Sequence, residues 1–170
     1  DGTIQIDSVE NQGTFIHVVI PFEIAEEPAV VQEMSELPKE NLSGCRILLA
    51  EDNELNREIA AFLLKDEGIS VTEAEDGQQA VKLFKEKPAG TFDVILMDLM
   101  MPVMDGITAT KAIRNLTRPD AKTIPILAMT ANAFEEDAKQ CFAAGMNAHI
   151  AKPVDMEFLE KTLQRIYEQL

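Results

Sequence analysis

Apolar and polar positions along the chain change rhythm twice, dividing it into three stretches. Between Thr3 and Asp7 the two alternate, a polar turn follows at Glu10 to Gly13, and alternation with β-branched residues resumes from Thr14 to Phe22. Period-two alternation on either side of a polar turn predicts a β-hairpin. An isolated hairpin is marginally stable at best, so these strands are expected to pair with partners outside this sequence. Residues 24–44 then carry five Glu and two Pro with no sustained period. That composition predicts a mobile acidic tether, with Val30 to Leu37 as a candidate short helix.

From Arg46 onward, short apolar runs alternate with helical spacing. The runs Ile47 to Ala50, Ile69 to Ala74, Val94 to Met97, Ile124 to Met129 and His149 to Ala151 predict five strands. The first helix is predicted from Leu55, Ile59, Phe62 and Leu63, with a C-cap at Gly68. Others are predicted at Gln78 to Lys87 before Pro88, Ile107 to Leu116, and Phe134 to Ala144 before Gly145. A fifth starts after an N-cap at Asp155 and carries Phe158, Leu159, Leu163, Ile166 and Leu170. Five β-then-α units predict an α/β fold, a five-stranded parallel sheet with helices on both faces. Ile69 to Ala74 mixes in Ser70, Thr72 and Glu73, so it is predicted to be an edge strand.

Open parallel sheets bind ligands outside the carboxyl ends of their strands. The polar groups that follow the apolar runs are Glu51 and Asp52 after the first, Asp98 after the third, Thr130 after the fourth and Lys152 after the fifth. They are predicted to meet on one rim. Three carboxylates brought together resist ionising unless a cation sits among them, and an all-oxygen donor set selects a hard ion such as Mg²⁺. Lys152 offers a mobile positive charge and Thr130 a hydroxyl, both suited to phosphoryl oxygens. A carboxylate can itself be the nucleophile in phosphoryl transfer. Asp98, on the central strand, is the best candidate.

Composition narrows the partners. A formal net charge of −15 and a pI near 4.4 repel phosphate backbones and anionic membrane surfaces, so direct contact with nucleic acid or membrane is not expected. Cys45 and Cys141 lack metal-ligand spacing and are expected to be small buried hydrophobes. No apolar run approaches a membrane span, so a reducing, cytoplasmic setting is expected. The chain opens on Asp1 rather than Met, from which we expect a piece of a longer protein, whose parent could be anchored in the inner membrane.

The set Glu51-Asp52, Asp98 in LMDLMMPVMDG, Thr130 in MTANAF and Lys152-Pro153 resembles the response-regulator receiver family over residues 45–170. The resemblance implies the flavodoxin-like (βα)5 receiver fold. It also implies that Asp98 is the phosphoacceptor, and that Mg²⁺ is held by Asp52, Asp98 and the backbone carbonyl of Met100, with Glu51 helping through water. Lys152 would pair with the phosphoryl group, joined to Pro153 by a cis bond, and Thr130 would be the switch hydroxyl. The family's switch aromatic falls at His149. Ala131 would leave room for an incoming phosphohistidine, and Met100 and Asn132 would tune phosphoryl lifetime. Residues 1–23 resemble the last two strands of a histidine-kinase ATP-binding domain, with Gly13-Thr14 similar to its final Gly-rich box. Together these imply the C-terminal end of a hybrid sensor kinase whose own kinase core donates the phosphoryl group. A histidine phosphotransfer protein would receive it. The fragment would catalyse only its own Asp phosphorylation and dephosphorylation, since neither His17 nor His149 lies in a phosphoacceptor-box context.

Taken singly, each residue has a plainer role. Glu51-Asp52 or Asn53 can cap a helix, Lys152 can be a solvated surface residue, and Thr130 a strand-end hydroxyl. Asp105 and Gly106 read as a helix start and a tight turn, His17 as a strand residue, and Met97, Met100, Met101 and Met104 as packing. Two other functions compete. A metal-dependent phosphohydrolase also uses a strand-end Asp but wants a general acid two residues later, where this chain has Met100. A pseudo-receiver docking module would lack an acid or the Lys, and none is missing. A homodimer through the hairpin edges is a further expectation.

Overall fold

The computed structural model describes residues 2–9, 13–21, 42–130 and 135–167. Residues 24–41 of the expected tether, with its Val30 to Leu37 helix, lie outside the described residues, as do Ala131, Asn132 and Leu170. Residues 42–44 are described and are not a free tether, since Leu42 packs against the core and the Gly44 N–H donates to the Gly68 carbonyl. The chain divides into two units, residues 1–39 and 40–170.

In the first unit, β1 (Thr3–Val9) and β2 (Gly13–Val19) form the expected antiparallel hairpin, in register from Thr3 opposite Val19 to Val9 opposite Gly13. Ile4, Ile6, Ile16 and Val18 fall on one face and all are exposed.

The second unit contains a parallel sheet of β3 (Arg46–Ala50), β4 (Ser70–Ala74), β5 (Val94–Asp98), β6 (Ile126–Thr130) and β7 (Ala148–Ala151). Their spatial order is β4-β3-β5-β6-β7. The helices are α1 (Glu54–Asp66), α2 (Gly77–Glu86), α3 (Gly106–Arg114), α4 (Glu135–Ala144) and α5 (Met156–Tyr167). Side chains alternate across the sheet and so build two cores. Ile47, Leu49, Leu96 and Leu127 pack with Leu64 of α1 and Leu159 and Leu163 of α5. Leu48, Ile95, Met97 and Ile126 pack with Phe84 of α2, Ile113 of α3 and Cys141 of α4. The expected α/β layering is present, and β4 is an edge with partly exposed positions.

Helix boundaries follow local chemistry. Asn53, Asp76 and Asp105 each accept a hydrogen bond from a backbone N–H three residues on, and Asp155 does the same for Phe158. Asn53, rather than Glu51 or Asp52, therefore caps α1. After α1 and α4 the chain turns through Gly68 (φ 76) and Gly145 (φ 98), whose N–H groups donate to Lys65 and Phe142. The following residues, Ile69 and Met146, donate to Leu64 and Cys141, which closes both ends in the six-to-one pattern.

Several expectations shift. β6 starts two residues later and ends one residue later than the apolar run suggested, and so takes in Thr130. A 3₁₀ turn at Pro119–Lys122 was not foreseen. Cys141 is buried, but Cys45 is only half-buried, at the margin of the core. Met97 and Met101 pack inside, whereas Met100 is 82% exposed and contributes no packing.

Among the described residues, the Thr110 hydroxyl on α3 is fully buried without a hydrogen-bond partner. A buried polar group left unpaired costs its full desolvation. Thr110→Val keeps the shape, and is expected to stabilise the domain by about 1 kcal/mol in urea denaturation. A loss of stability would mean that the hydroxyl has a partner after all.

Candidate functional site

Strand order reverses between β3 and β5: the chain leaves β3 toward β4 on one side, then returns to build β5, β6 and β7 on the other. A crevice opens above such a reversal. Glu51 and Asp52 leave β3 on one flank and Asp98 ends β5 on the other, with β3 and β5 paired directly from Ile47 opposite Val94 to Ala50 opposite Met97. Glu51, Asp52 and Asp98 each present a carboxylate oxygen within 4.8 Å of the other two. Glu51 is 2% and Asp98 4% exposed, while Asp52 is open to solvent.

Lys152 reaches in from the end of β7. Its Nζ lies 2.6 Å from Glu51 Oε2 and 2.6 Å from Asp98 Oδ2. The Lys152-Pro153 bond is cis, as the resemblance implied. Burial raises the Asp98 carboxyl above its ordinary range, and the bond from Lys152 only partly offsets this. For Lys152, burial alone would lower the ammonium, but its bonds to Asp98 and Glu51 outweigh burial and raise it. Three carboxylates beside one ammonium leave two negative charges, and the donor set is all oxygen. The residues present fit a hard divalent cation.

The surroundings hold these groups in place. Asn56 Nδ2 donates to Glu51 Oε1 at 3.2 Å, and the Met100 N–H donates to Asp98 Oδ1 at 3.2 Å. Arg57 Nη1 donates to the backbone carbonyls of Glu51, at 2.8 Å, and Asp52, at 3.4 Å. Sequence reasoning missed Asn56 and Arg57, whose one available signal was their position one turn into the helix that follows the acidic pair. Thr130 pairs with Ala151 and Ala128 with His149, so Thr130 and His149 share one sheet face, His149 two residues earlier on the neighbouring strand. The structure thus brings together Glu51, Asp52, Asp98 and Lys152, and sets Thr130 at the adjoining strand end.

Gly106 explains a further constraint. A Cβ there would lie 2.1 Å from the Asp98 carbonyl oxygen, so α3 starts directly against the phosphoacceptor candidate's own backbone. This close approach, rather than the expected tight turn, is why glycine stands there. Gly106→Ala is expected to cost about 2 to 3 kcal/mol and to shift the Asp98 and Leu99 amide resonances. Wild-type stability with an unmoved spectrum would show that the helix start yields freely.

Beside the site, a cleft of about 260 Å³ is lined by Glu51, Asn56, Ile59, Lys152, Pro153 and Val154. Ile59 belongs to an exposed stripe on α1 with Leu55 (64% exposed) and Phe62 (68%). These residues, whose spacing predicted the helix, point to solvent. Ala60, Ala61 and Leu64 face the core instead.

Comparison with known proteins agrees with this geometry. The receiver domain of sensor histidine kinase PA1611 from Pseudomonas aeruginosa, solved with a magnesium ion coordinated in its active-site cleft, superposes with a TM-score of 0.64 at 40% identity, covering 74% of this chain and 99% of that one. The receiver domain of Saccharomyces cerevisiae Ssk1, crystallised with the histidine phosphotransfer protein Ypd1, superposes at 0.60 with 31% identity, over 71% and 86% of the two chains. Hybrid signal transduction histidine kinase M of Dictyostelium discoideum is 40% identical over 121 residues, 71% of this chain and 5% of that protein. The curated histidine kinases that this chain resembles are far longer: it spans 13% and 18% of two of them. The family model for the response regulator receiver domain matches residues 47–164, and the chain belongs to that family.

Proposed function

We propose that this chain accepts a phosphoryl group from a phosphohistidine onto Asp98 and hands it to a histidine phosphotransfer protein, as part of a hybrid histidine kinase. The observation that carries the reading is the convergence of Glu51, Asp98 and Lys152, with both ion-pair distances at 2.6 Å. An Asp98 carboxylate oxygen forms the new P–O bond as the donor's N–P bond breaks, and the histidine nitrogen keeps the electron pair. Asp52, Asp98 and the Met100 carbonyl, with Glu51 helping through water, would hold Mg²⁺, which when bound would supply positive charge to offset that of the transferred group. Lys152 moves from Asp98 to a phosphoryl oxygen and keeps its bond to Glu51. Thr130 turns its hydroxyl to another phosphoryl oxygen, and His149, on the same face, takes the place of the switch aromatic.

Partner docking is assigned to the stripe of Leu55, Ile59 and Phe62, because Ile59 also lines the cleft that reaches Glu51 and Lys152. A histidine phosphotransfer protein on that stripe would bring its imidazole to Asp98, and the Ypd1 complex with another receiver supports a partner of this kind. The N-terminal hairpin belongs, in this reading, to the end of the kinase's ATP-binding domain, which would cover its aliphatic face. A phosphohydrolase is disfavoured because Met100 carries no acidic proton, and a docking-only module because every charged group is in place.

The test is to incubate the full chain with phosphoramidate and MgCl₂, with and without a chelator, and follow intact mass. One phosphoryl group, mapped to Asp98 and lost with the chelator, is the expected result. No uptake, uptake at another residue, or repeated turnover of unrelated phosphate esters would overturn the reading.

A further inference from the structure

Arg57 lies on α1 and reaches back to the backbone of the acidic turn, and its ion pair is with Glu73 rather than with an acid of the cluster. Its side chain is 12% exposed. Nη1 donates to the Glu51 carbonyl at 2.8 Å and to the Asp52 carbonyl at 3.4 Å, while Nε lies 3.8 Å from Glu73 Oε2 on the edge strand β4. Glu73 is held in turn by Lys65 Nζ at 3.0 Å. On the other side of the turn, the Glu51 N–H donates to the Ala74 carbonyl of β4. The peptide groups around Glu51 and Asp52 are therefore gripped from α1 and from β4 at once.

Ordering a long arginine side chain costs rotamer entropy, and a cation next to a metal site opposes metal binding by simple Coulomb repulsion. An electrostatic contribution to cation binding would thus have the wrong sign, whereas holding the carbonyls would have the right one. We propose that Arg57 is a positioning residue: it fixes the backbone of Glu51-Asp52 so that both side chains meet Asp98 in the arrangement that takes a divalent cation. The proposal rests on the Mg²⁺ reading above and extends it to a residue outside the acidic cluster. A planar fork suits this task because separate N–H groups of one rigid group address the carbonyls and Glu73, and the point charge of a lysine does not reproduce that.

The experiment is calorimetric titration of the full chain with MgCl₂ for wild type, Arg57→Lys and Arg57→Met, with thermal melts of each in chelator. Groups that orient metal ligands typically change affinity by about 10- to 100-fold when removed, and both variants are expected to bind Mg²⁺ at least about 10-fold more weakly while staying folded. Tighter binding by Arg57→Met with unchanged binding by Arg57→Lys would mean that Arg57 acts through charge alone, overturning the proposal. A lower melting temperature with unchanged Mg²⁺ affinity would reduce Arg57 to a structural residue, with the same consequence. Should Arg57→Met fail to fold, Glu73→Gln releases the far side of the guanidinium without touching the carbonyl bonds. It is expected to lose affinity in the same direction, and unchanged affinity in both Arg57→Lys and Glu73→Gln overturns the proposal. A wild-type chain that binds no Mg²⁺ removes the underlying reading as well, an outcome distinct from the others.

Discussion

Asp98→Asn is expected to abolish phosphoryl uptake and, at neutral pH in chelator, to raise the melting temperature. The first effect follows from losing the nucleophilic oxygen. The second follows from burial, which raises the Asp98 carboxyl above its ordinary range in the folded chain. A carboxyl with a raised folded pKa favours folding while it is protonated, and that contribution disappears as pH rises through the folded value. At neutral pH the wild type carries a buried charge whose desolvation the Lys152 bond only partly offsets. The amide keeps the shape, drops the charge, and leaves Lys152 on Glu51. The gain should shrink in melts at progressively lower pH, as wild-type Asp98 itself becomes neutral. A variant less stable than wild type at neutral pH would show that the ion pair outweighs burial.

Lys152→Met is expected to act in the opposite sense. It removes the cation 2.6 Å from both Glu51 and Asp98 and leaves two buried carboxylates facing each other. Breaking a buried pair by deleting one partner costs about 3 to 5 kcal/mol, most of it from the charge left behind. The Asp98 carboxyl, already raised by burial, then loses the bond that partly offset it, so the deficit is full at neutral pH and narrows as pH falls. MgCl₂ should restore part of the loss by replacing one cation with another. Urea denaturation at neutral and acidic pH, with and without MgCl₂, measures each of these effects. Wild-type stability at neutral pH would mean that the pair contributes nothing net. Phosphoryl uptake is expected to collapse in this variant, because no ammonium remains to meet the transferred group.

The order of strands and helices was legible because three of the five strands, β3, β5 and β6, are buried on both faces and so read as nearly unbroken apolar runs. Their polar successors mark the rim for the same reason: after a run such as Val94 to Met97, a charged residue can only stand where the sheet ends. Orientation was harder to read. The spacing of Leu55, Ile59 and Phe62 predicts a helix, but periodicity alone gives two candidate apolar faces on α1, and the core took the smaller one of Ala60, Ala61 and Leu64. Asn56 and Arg57 were invisible because their roles depend on where α1 folds back, a tertiary fact that spacing does not encode. Gly106 was read as a turn, since a contact with the Asp98 carbonyl is made across the start of a helix rather than along the sequence. Thr130 was placed just beyond its strand because β6 is set by pairing with β5 and β7, which continues one residue past the apolar run.

Lys152 directly follows the last strand, about a hundred residues after Glu51. A polypeptide leaving the ribosome from its N-terminus thus exposes both buried acids long before their counter-charge has been synthesised. Until the end of β7 docks, burying both acids is opposed by their mutual repulsion. A chain stalled before β7 is therefore expected to lack the ion pairs that join Glu51 and Asp98 through Lys152.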